Sequence, residues 1–257
     1  MSPLKITLVS VIIVGSMIFI NACSTLSSRE TPIVRVVRAY APAVVNIRTE
    51  QIVDLRESQE WGMYGEELDS FSQEYFGESD SEGTLIYKSI GSGVILDNNG
   101  LIVTNAHVVQ KAKDIYVVLN DGAVLQAEVI GMNQNDDLAI IKAELPYPVR
   151  EVRFANTNDL MIGETVIAIG NPLGLENSVT VGVLSGKDRA FSSAHCAYVC
   201  SGLLQIDAPI NPGNSGGALL NLDGELIGVN LAVVQSAESI GFAVPADKIL
   251  NLLRIYK

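Results

Sequence analysis

Basic residues are scarce in this sequence of 257 residues, which has 17 lysines and arginines against 29 aspartates and glutamates. The formal net charge is -12, so the surface lacks the positive field that binds phosphate backbones or anionic lipid headgroups. We therefore expect no nucleic-acid partner. Charged residues make up only 18% of the chain and hydrophobic residues 48%, enough apolar material for one full-sized domain or two closely packed lobes.

Metal-binding side chains are also few, with two histidines and three cysteines in the whole chain. Cys196 and Cys200 are candidates for a disulfide, while two free thiols, or a metal site that includes His195, are the alternatives. There is no His-Glu-x-x-His motif, and the segment 170–174 lacks the Lys-Ser/Thr of a phosphate-binding loop. We therefore expect no metal and no organic cofactor.

A hydrophobic run of membrane-spanning length is missing as well. The apolar stretch Ile6–Ile20 has about 15 residues, whereas a spanning helix needs roughly 20. It ends in Ile20-Asn21-Ala22-Cys23, which resembles a bacterial lipobox. We interpret residues 1–22 as a lipoprotein signal peptide, Cys23 as the lipidated residue and 23–30 as a tether. An uncleaved signal anchor and ordinary signal cleavage nearby are the alternatives, and each of the three places the rest of the chain on the periplasmic side of the bacterial envelope.

Short runs rich in β-branched residues, separated by turn residues, fill the chain as far as about residue 245. The first group comprises Val44–Ile47, Val94–Leu96, Leu101–Thr104, Ile115–Leu119, Val124–Ile130 and Leu138–Lys142. The second group comprises Thr165–Ile169, Val179–Leu184, Leu203–Ile206, Leu219–Leu220, Glu225–Asn230 and Ile240–Val244. Two such groups favour two antiparallel barrels or a sandwich over a parallel α/β sheet. Helical spacing predicts a short helix that begins near Thr31 and a closing helix within Pro245–Tyr256.

One serine stands at the centre of a glycine-dense turn. Ser215 lies within Asn211-Pro212-Gly213-Asn214-Ser215-Gly216-Gly217, which follows a predicted strand. Peptide hydrolysis by a serine requires an activated hydroxyl and N–H donors aimed at the developing oxyanion. The glycines allow the backbone to present the N–H groups of Gly213 and Ser215 to one point while the hydroxyl stays unobstructed.

A histidine and a carboxylate complete the set of groups that such chemistry needs. His107 ends an apolar strand, and Asp137 adjoins the apolar run that begins at Leu138. We prefer Asp137 to Asp136 as the carboxylate that orients the histidine, because Asp136 is better placed to cap the turn. The order His, Asp, Ser is that of the chymotrypsin-type triad and differs from the order in α/β-hydrolases and subtilisins.

Seven blocks of the sequence are more specific together than any of them alone. They are Gly91-Ser92-Gly93-Val94-Ile95-Leu96, Thr104-Asn105-Ala106-His107-Val108-Val109, Asp137-Leu138-Ala139-Ile140-Ile141-Lys142, Gly170-Asn171-Pro172-Leu173-Gly174, Gly213-Asn214-Ser215-Gly216-Gly217, Asn221-Leu222-Asp223-Gly224-Glu225 and Ile240-Gly241-Phe242-Ala243-Val244-Pro245. As a set they resemble the signature blocks of the HtrA (Deg) serine proteases, and the likeness runs from about Thr31 to the C-terminus. The resemblance implies an all-β, chymotrypsin-like double β-barrel with a short N-terminal helix and a C-terminal helix. Residues 31–257 would then form a trypsin-like protease domain, with barrels at about 41–145 and 150–245 and a closing helix at 246–257.

The resemblance also implies an activity. Members of the family are ATP-independent serine endopeptidases that cleave unfolded or misfolded envelope proteins, usually as homotrimers. On this basis His107, Asp137 and Ser215 form the triad, and the Gly213 and Ser215 N–H groups form an oxyanion hole shaped by Asn214. The chain ends at Lys257, so we expect it to lack the PDZ domain that most members carry. A non-hydrolytic holdase or scaffold of the same fold is the alternative function.

Substrate preference can be predicted in part. Trypsin-like enzymes that cut after Lys or Arg have an acid six residues before the nucleophile, and here that position is Pro209. We expect Val233, Val234 and Ile240 to line a specificity pocket that suits Val, Ala or similar side chains.

Overall fold

A computed structural model describes the main chain of residues 29–54, 78–79, 84–172, 177–191, 200–211, 213–233 and 239–256. Its contacts distinguish one unit that ends at Arg35 from a second unit, Val36–Lys257. The predicted signal peptide, Cys23, Cys196 and Val234 lie outside the described residues. Within these ranges, no helix is both long and apolar enough to span a membrane.

The first sheet is a closed barrel of six strands with a short seventh strand attached. Its strands are β1 (Val44–Asp54), β2 (Glu78–Ser79), β3 (Thr84–Ile95), β4 (Leu101–Thr104), β5 (Asp114–Val118), β6 (Val124–Asn133) and β7 (Leu138–Ala143). The spatial order is β1-β5-β6-β7-β4-β3, and β3 pairs again with β1, which closes the ring. The strand β2 adds to β3 outside the ring.

The second sheet repeats this plan. Its strands are β8 (Arg153–Phe154), β9 (Thr165–Gly170), β10 (Ser178–Phe191), β11 (Cys200–Ile206), β12 (Ala218–Leu220), β13 (Glu225–Val233) and β14 (Gly241–Pro245). The order β12-β9-β10-β11-β14-β13 is closed by pairing between β13 and β12, and β8 lies parallel to β13. Closure satisfies the backbone hydrogen bonds of both barrels without exposing a long strand edge to other chains.

Three α-helices accompany the barrels in the described part of the chain. They are α1 (Pro32–Tyr40), α2 (Ala106–Val109) and α3 (Ala246–Tyr256), and two short 3-10 turns lie at Ala41–Ala43 and Thr157–Asp159. The helix α3 buries Ile249, Leu252 and Leu253 on one face and exposes Asp247 on the other. The predicted double β-barrel with a short N-terminal helix and a C-terminal helix is confirmed.

Each barrel has its own apolar interior. In the first barrel every residue of β4 is buried, and in the second barrel Val166, Ala168, Leu184 and Ile206 belong to one buried cluster. Burial of one large aliphatic side chain contributes about 1.5–3 kcal/mol to the stability of the fold. Many such buried residues together determine where each strand ends. His107 follows the end of β4, and Asp137 directly precedes β7.

Two turn glycines provide a matched test of the first barrel. Gly100 and Gly122 have nearly equal positive φ angles, +82° and +87°. A Cβ on Gly100 would lie 1.8 Å from the carbonyl oxygen of Ala143, whereas a Cβ on Gly122 would meet nothing within 4 Å.

We expect Gly122→Ala to lower the free energy of unfolding by about 1 kcal/mol through backbone strain alone. Gly100→Ala should cost about 2–4 kcal/mol, because a backbone clash adds to the same strain. Urea unfolding of the two variants measures both values. Equal losses in the two variants would contradict the close approach of Gly100 to Ala143.

Candidate active site

His107 lies on the single helical turn that follows β4. Thr104 and Asn105, at the end of the strand, are fully buried. After the histidine, Val108 packs on Gly91 of β3, where an added Cβ would lie 2.7 Å from Val108 Cγ2. The turn is therefore anchored on both sides of His107, while 16% of the imidazole side chain remains accessible.

Asp137 is fully buried directly before β7 and has a φ of +50°, a left-handed conformation that Asp tolerates better than most residues. Its Oδ1 accepts the backbone N–H of His107 at 2.8 Å, and its Oδ2 lies 2.6 Å from His107 Nδ1. Its own carbonyl accepts hydrogen bonds from Asn105 Nδ2 at 3.0 Å and from the Ala106 N–H at 3.1 Å. A carboxylate accepts hydrogen bonds, so this contact suits the tautomer that carries its proton on Nδ1 and its lone pair on Nε2.

The neighbouring acid, Asp136, points elsewhere. Its Oδ2 accepts from Asn133 Nδ2 at 2.8 Å within the turn, and its Oδ1 accepts from Lys248 Nζ at 2.5 Å. The structure thus gives the two adjacent carboxylates different partners, and it is Asp137 that contacts the imidazole.

Ser215 occupies a turn between β11 and β12 whose peptide planes are held by hydrogen bonds. The Asn214 N–H donates to the Asn211 carbonyl at 2.9 Å, and the Gly217 N–H donates to the Asn214 carbonyl at 3.0 Å. Since a peptide unit is planar, the second bond also fixes the direction of the Ser215 N–H, which belongs to the same unit. Gly213 has a φ of +91°, in the left-handed region that favours glycine.

The Ser215 hydroxyl is engaged within the second barrel. Its Oγ donates a hydrogen bond to the carbonyl oxygen of Leu231 in β13 at 3.0 Å. A hydroxyl has one proton, so while it donates to Leu231 it does not donate to His107 Nε2. Proton transfer to the imidazole therefore requires rotation of the hydroxyl away from the Leu231 carbonyl.

Ser92, on β3 of the first barrel, joins that barrel to the turn of Ser215. Its Oγ donates to the Gly213 carbonyl at 2.6 Å and accepts the Asn171 N–H at 2.8 Å. Its N–H donates to the Ser215 carbonyl at 2.8 Å, and its carbonyl accepts from Thr104 Oγ1 at 2.7 Å. Ser92 is fully buried, and both of these Oγ hydrogen bonds go to residues beyond the first barrel. Sequence reasoning recognised the Gly91-Ser92-Gly93 block but assigned Ser92 no role.

Gly91 shows how closely the histidine and serine segments approach. The same added Cβ that meets Val108 would lie 3.4 Å from the carbonyl oxygen of Ser215. Val108, which follows His107, and the Ser215 backbone therefore both lie close to one glycine. The structure brings the segments of His107, Asp137 and Ser215 together where the two barrels meet.

The residues predicted to form the specificity pocket are only partly described. Val233 is the last residue of β13, and Ile240 is half-buried directly before β14. Pro209 is exposed, and its carbonyl accepts a hydrogen bond from Thr180 Oγ1 at 2.7 Å. Ile210, the next residue, is buried.

Cys200, the first residue of β11, is disulfide-bonded and buried. Among the described residues, there is no group of three or more His, Cys, Asp or Glu side chains that could hold a metal ion.

Comparisons with known proteins agree with this geometry. The family described as "Trypsin-like peptidase domain" matches residues 91–229. The HhoB protein of Synechocystis sp., which carries a serine-protease name, is 40% identical over 228 residues, covering 86% of this chain and 51% of that protein. A Halomonas elongata protein named as a DegP-like periplasmic serine endoprotease is 35% identical over 250 residues, covering 92% of this chain and 52% of its own length.

Solved structures give the same result. The structure titled "HtrA-type protease AlgW with tripeptide" superimposes with a TM-score of 0.67 at 31% identity, covering 86% of this chain and 62% of that chain. The present chain spans about half the length of the curated relatives that it matches. The chain is similar to proteases of the HtrA/DegP type, and by its matched domain and its fold it belongs to the trypsin-like serine peptidases.

Proposed function

We propose that this chain is a serine endopeptidase that cleaves unfolded or misfolded proteins of the bacterial envelope without ATP. The observation that carries the proposal is the pairing of His107 Nδ1 with Asp137 Oδ2 at 2.6 Å, beside the turn of Ser215. The names of the relatives, which include periplasmic serine proteases, support the protease activity and the compartment.

The catalytic steps follow from the contacts of the three residues. Ser215 Oγ attacks the carbonyl carbon of the scissile bond while its proton passes to His107 Nε2. The tetrahedral intermediate collapses when His107 returns that proton to the leaving amine, leaving an acyl-enzyme on Ser215. Water, deprotonated by His107, then attacks the acyl carbon and releases the acid. Throughout, Asp137 holds the ring and stabilises the imidazolium.

Negative charge that develops on the substrate oxygen requires fixed donors. The Gly213 and Ser215 N–H groups fill this role, and Asn214 shapes the turn between them. Ser92 holds this turn because its Oγ donates to the Gly213 carbonyl and its N–H donates to the Ser215 carbonyl. We assign it as a positioning residue, because it acts through the turn and does not contact the reacting atoms.

The remaining assignments extend the same proposal. Residues 31–257 form the protease domain, residues 1–22 an export signal, and Cys23 carries a lipid that attaches the tether 23–30 to the membrane. The protein assembles as a homotrimer, as its family resemblance implies. Cys196 is the disulfide partner of Cys200. Val233, Val234 and Ile240 line a pocket for small aliphatic side chains.

One observation favours a second candidate, a holdase or scaffold that binds unfolded chains without cutting them. The hydrogen bond from Ser215 Oγ to the Leu231 carbonyl keeps the nucleophile's proton away from the imidazole. A protein held permanently in this state would bind and not hydrolyse. Substitution of the histidine and the serine separates the two functions.

The two histidines of the chain provide a matched pair of variants. His107→Ala should lower kcat for an unfolded protein substrate by about 10⁴-fold or more, because the general base is lost. His195→Ala should leave kcat unchanged. Hydrolysis of unfolded casein and labelling by a fluorophosphonate measure both variants beside Ser215→Ala. Absence of hydrolysis and of label in the parent, with retained binding of casein, would establish the holdase and reject the protease.

Ser92 is tested by Ser92→Ala with Thr104→Val as its control. Ser92→Ala removes two buried hydrogen bonds and Thr104→Val removes one, each at about 1–3 kcal/mol of unfolding free energy, but only the first change frees the Gly213 carbonyl. We expect kcat to fall about tenfold in Ser92→Ala with KM unchanged, and less than twofold in Thr104→Val. Steady-state kinetics at a temperature where all variants are folded gives both constants. Equal losses of kcat in the two variants would show that Ser92 has only a structural role.

A peptide-library digest tests the pocket. Cleavage should be most frequent after Val, Ala or similar residues, because Pro209 stands where an acid would bind a basic side chain. A dominant preference for Arg or Lys would contradict the assignment, and Ser215→Ala serves as the blank.

A further inference from the structure

A lysine on the closing helix makes contacts that the catalytic assignment does not use. Lys248 lies in the first turn of α3, and its Nζ donates to Asp136 Oδ1 at 2.5 Å. The same Nζ donates to the carbonyl oxygen of Ser201 in β11, also at 2.5 Å. The side chains of Lys248 and Asp136 are 18% and 25% exposed, so both are largely withdrawn from water.

Asp136 belongs to a tightly bonded turn. Besides the bond between the Asn133 amide and Asp136 Oδ2, Asn133 Oδ1 accepts the N–H of Asn135 at 3.0 Å and that of Asp136 at 3.3 Å. The next residue is Asp137, with its φ of +50°. A shift of this turn would therefore move the carboxylate that contacts His107.

The other contacts of Lys248 belong to the second barrel. Ser201 follows the disulfide-bonded Cys200, and α3 is fixed by its buried face. Lys248 therefore links three segments that are distant in sequence: the turn before Asp137, the closing helix and the start of β11. Asp136, in the first of these segments, is 112 positions away from Lys248. An ammonium group suits such a point, because it has three donors and forms charge-assisted bonds.

We propose that Lys248 is a positioning residue that holds the 133–137 turn, and with it Asp137, in the geometry that orients His107. The proposal rests on the serine-protease function proposed above. Both side chains keep some access to water, so solvent screening limits what this ion pair adds to stability. A displacement of a catalytic group by about 1 Å, in contrast, can cost up to about 10²-fold in rate. The catalytic effect of removing Lys248 should therefore exceed its effect on stability.

The kinetic test uses the full chain with Lys248→Met, Lys248→Arg and Asp136→Asn. We expect Lys248→Met and Asp136→Asn each to lower kcat about tenfold with KM within twofold of the parent. The double variant should lose no more than either single variant, because both single changes remove the same ion pair between Lys248 and Asp136. Lys248→Arg should recover most of the rate. Lys142→Met is the matched control, since Lys142 is an exposed lysine on β7, close in sequence to Asp137, and should leave kcat unchanged.

A second readout does not depend on activity. In a His195→Gln background His107 is the sole imidazole, so its ring nitrogens and its Nδ1 proton can be observed by NMR without ambiguity. We expect the Nδ1 proton signal of the bond to Asp137 to broaden or vanish in Lys248→Met and to persist in Lys142→Met.

The outcomes separate the two proposals. An inactive parent would reject the protease function, yet the NMR signal would still report whether Lys248 orders the imidazole. An active parent with unchanged kcat and an unchanged Nδ1 proton in Lys248→Met would overturn the role of Lys248. If Lys248→Met does not fold, Asp136→Asn decides between these outcomes by the same two measurements. The role of Lys248 is also overturned if the loss of kcat is proportional to the fraction of unfolded protein and Lys248→Arg does not recover the rate.

Discussion

The two hydrogen bonds that the Asp137 carboxylate accepts from His107 govern the geometry of the whole site. One bond fixes the backbone of the α2 turn and the other fixes the ring, so position and tautomer are set by a single buried group. Burial makes this arrangement demanding, because a carboxylate withdrawn from water is stable only if its lone pairs are used. The Asn105 amide and the Ala106 N–H meet the same need for the carbonyl of Asp137, so the entire residue is enclosed by donors from the histidine segment.

The second requirement is a fixed position of one barrel relative to the other, because His107 and Asp137 belong to one barrel and Ser215 to the other. Ser92 provides this from the first barrel by bonding to both carbonyls that flank Asn214. Lys248 provides a second connection, because it bonds to Asp136 beside β7 and to the Ser201 carbonyl in β11. Each connection is a small number of short polar contacts, whereas the barrels themselves are held by large apolar interiors.

Much of the fold and of the candidate site could be predicted from the sequence. The features that could not be predicted share a physical cause. Strand runs such as Leu101–Thr104 and turns such as Asn221–Gly224 carry local signals, so the two groups of strands were predictable. The family resemblance implied the double barrel where these signals also allowed a sandwich, and the fold is confirmed. The continuation of β10 to Phe191 and the pairing of β8 with β13 depend on partners distant in sequence and were not predicted. The same holds for Ser92 and Lys248, whose contacts bridge 121 and 112 positions. Asp137 was chosen for its place beside an apolar run, and the structure pairs it with His107, while its catalytic role stays a prediction.

Each barrel closes its own ring of backbone hydrogen bonds, and this closure has a consequence for how the protein responds to stress. Two barrels that each close on themselves can separate at their contact surface, and this costs less free energy than unfolding either barrel. Loss of the hydrogen bonds of Ser92 to the Ser215 turn would leave both rings of backbone hydrogen bonds intact. The Ser215 turn and the His107–Asp137 pair could then part and rejoin while both barrels stay folded.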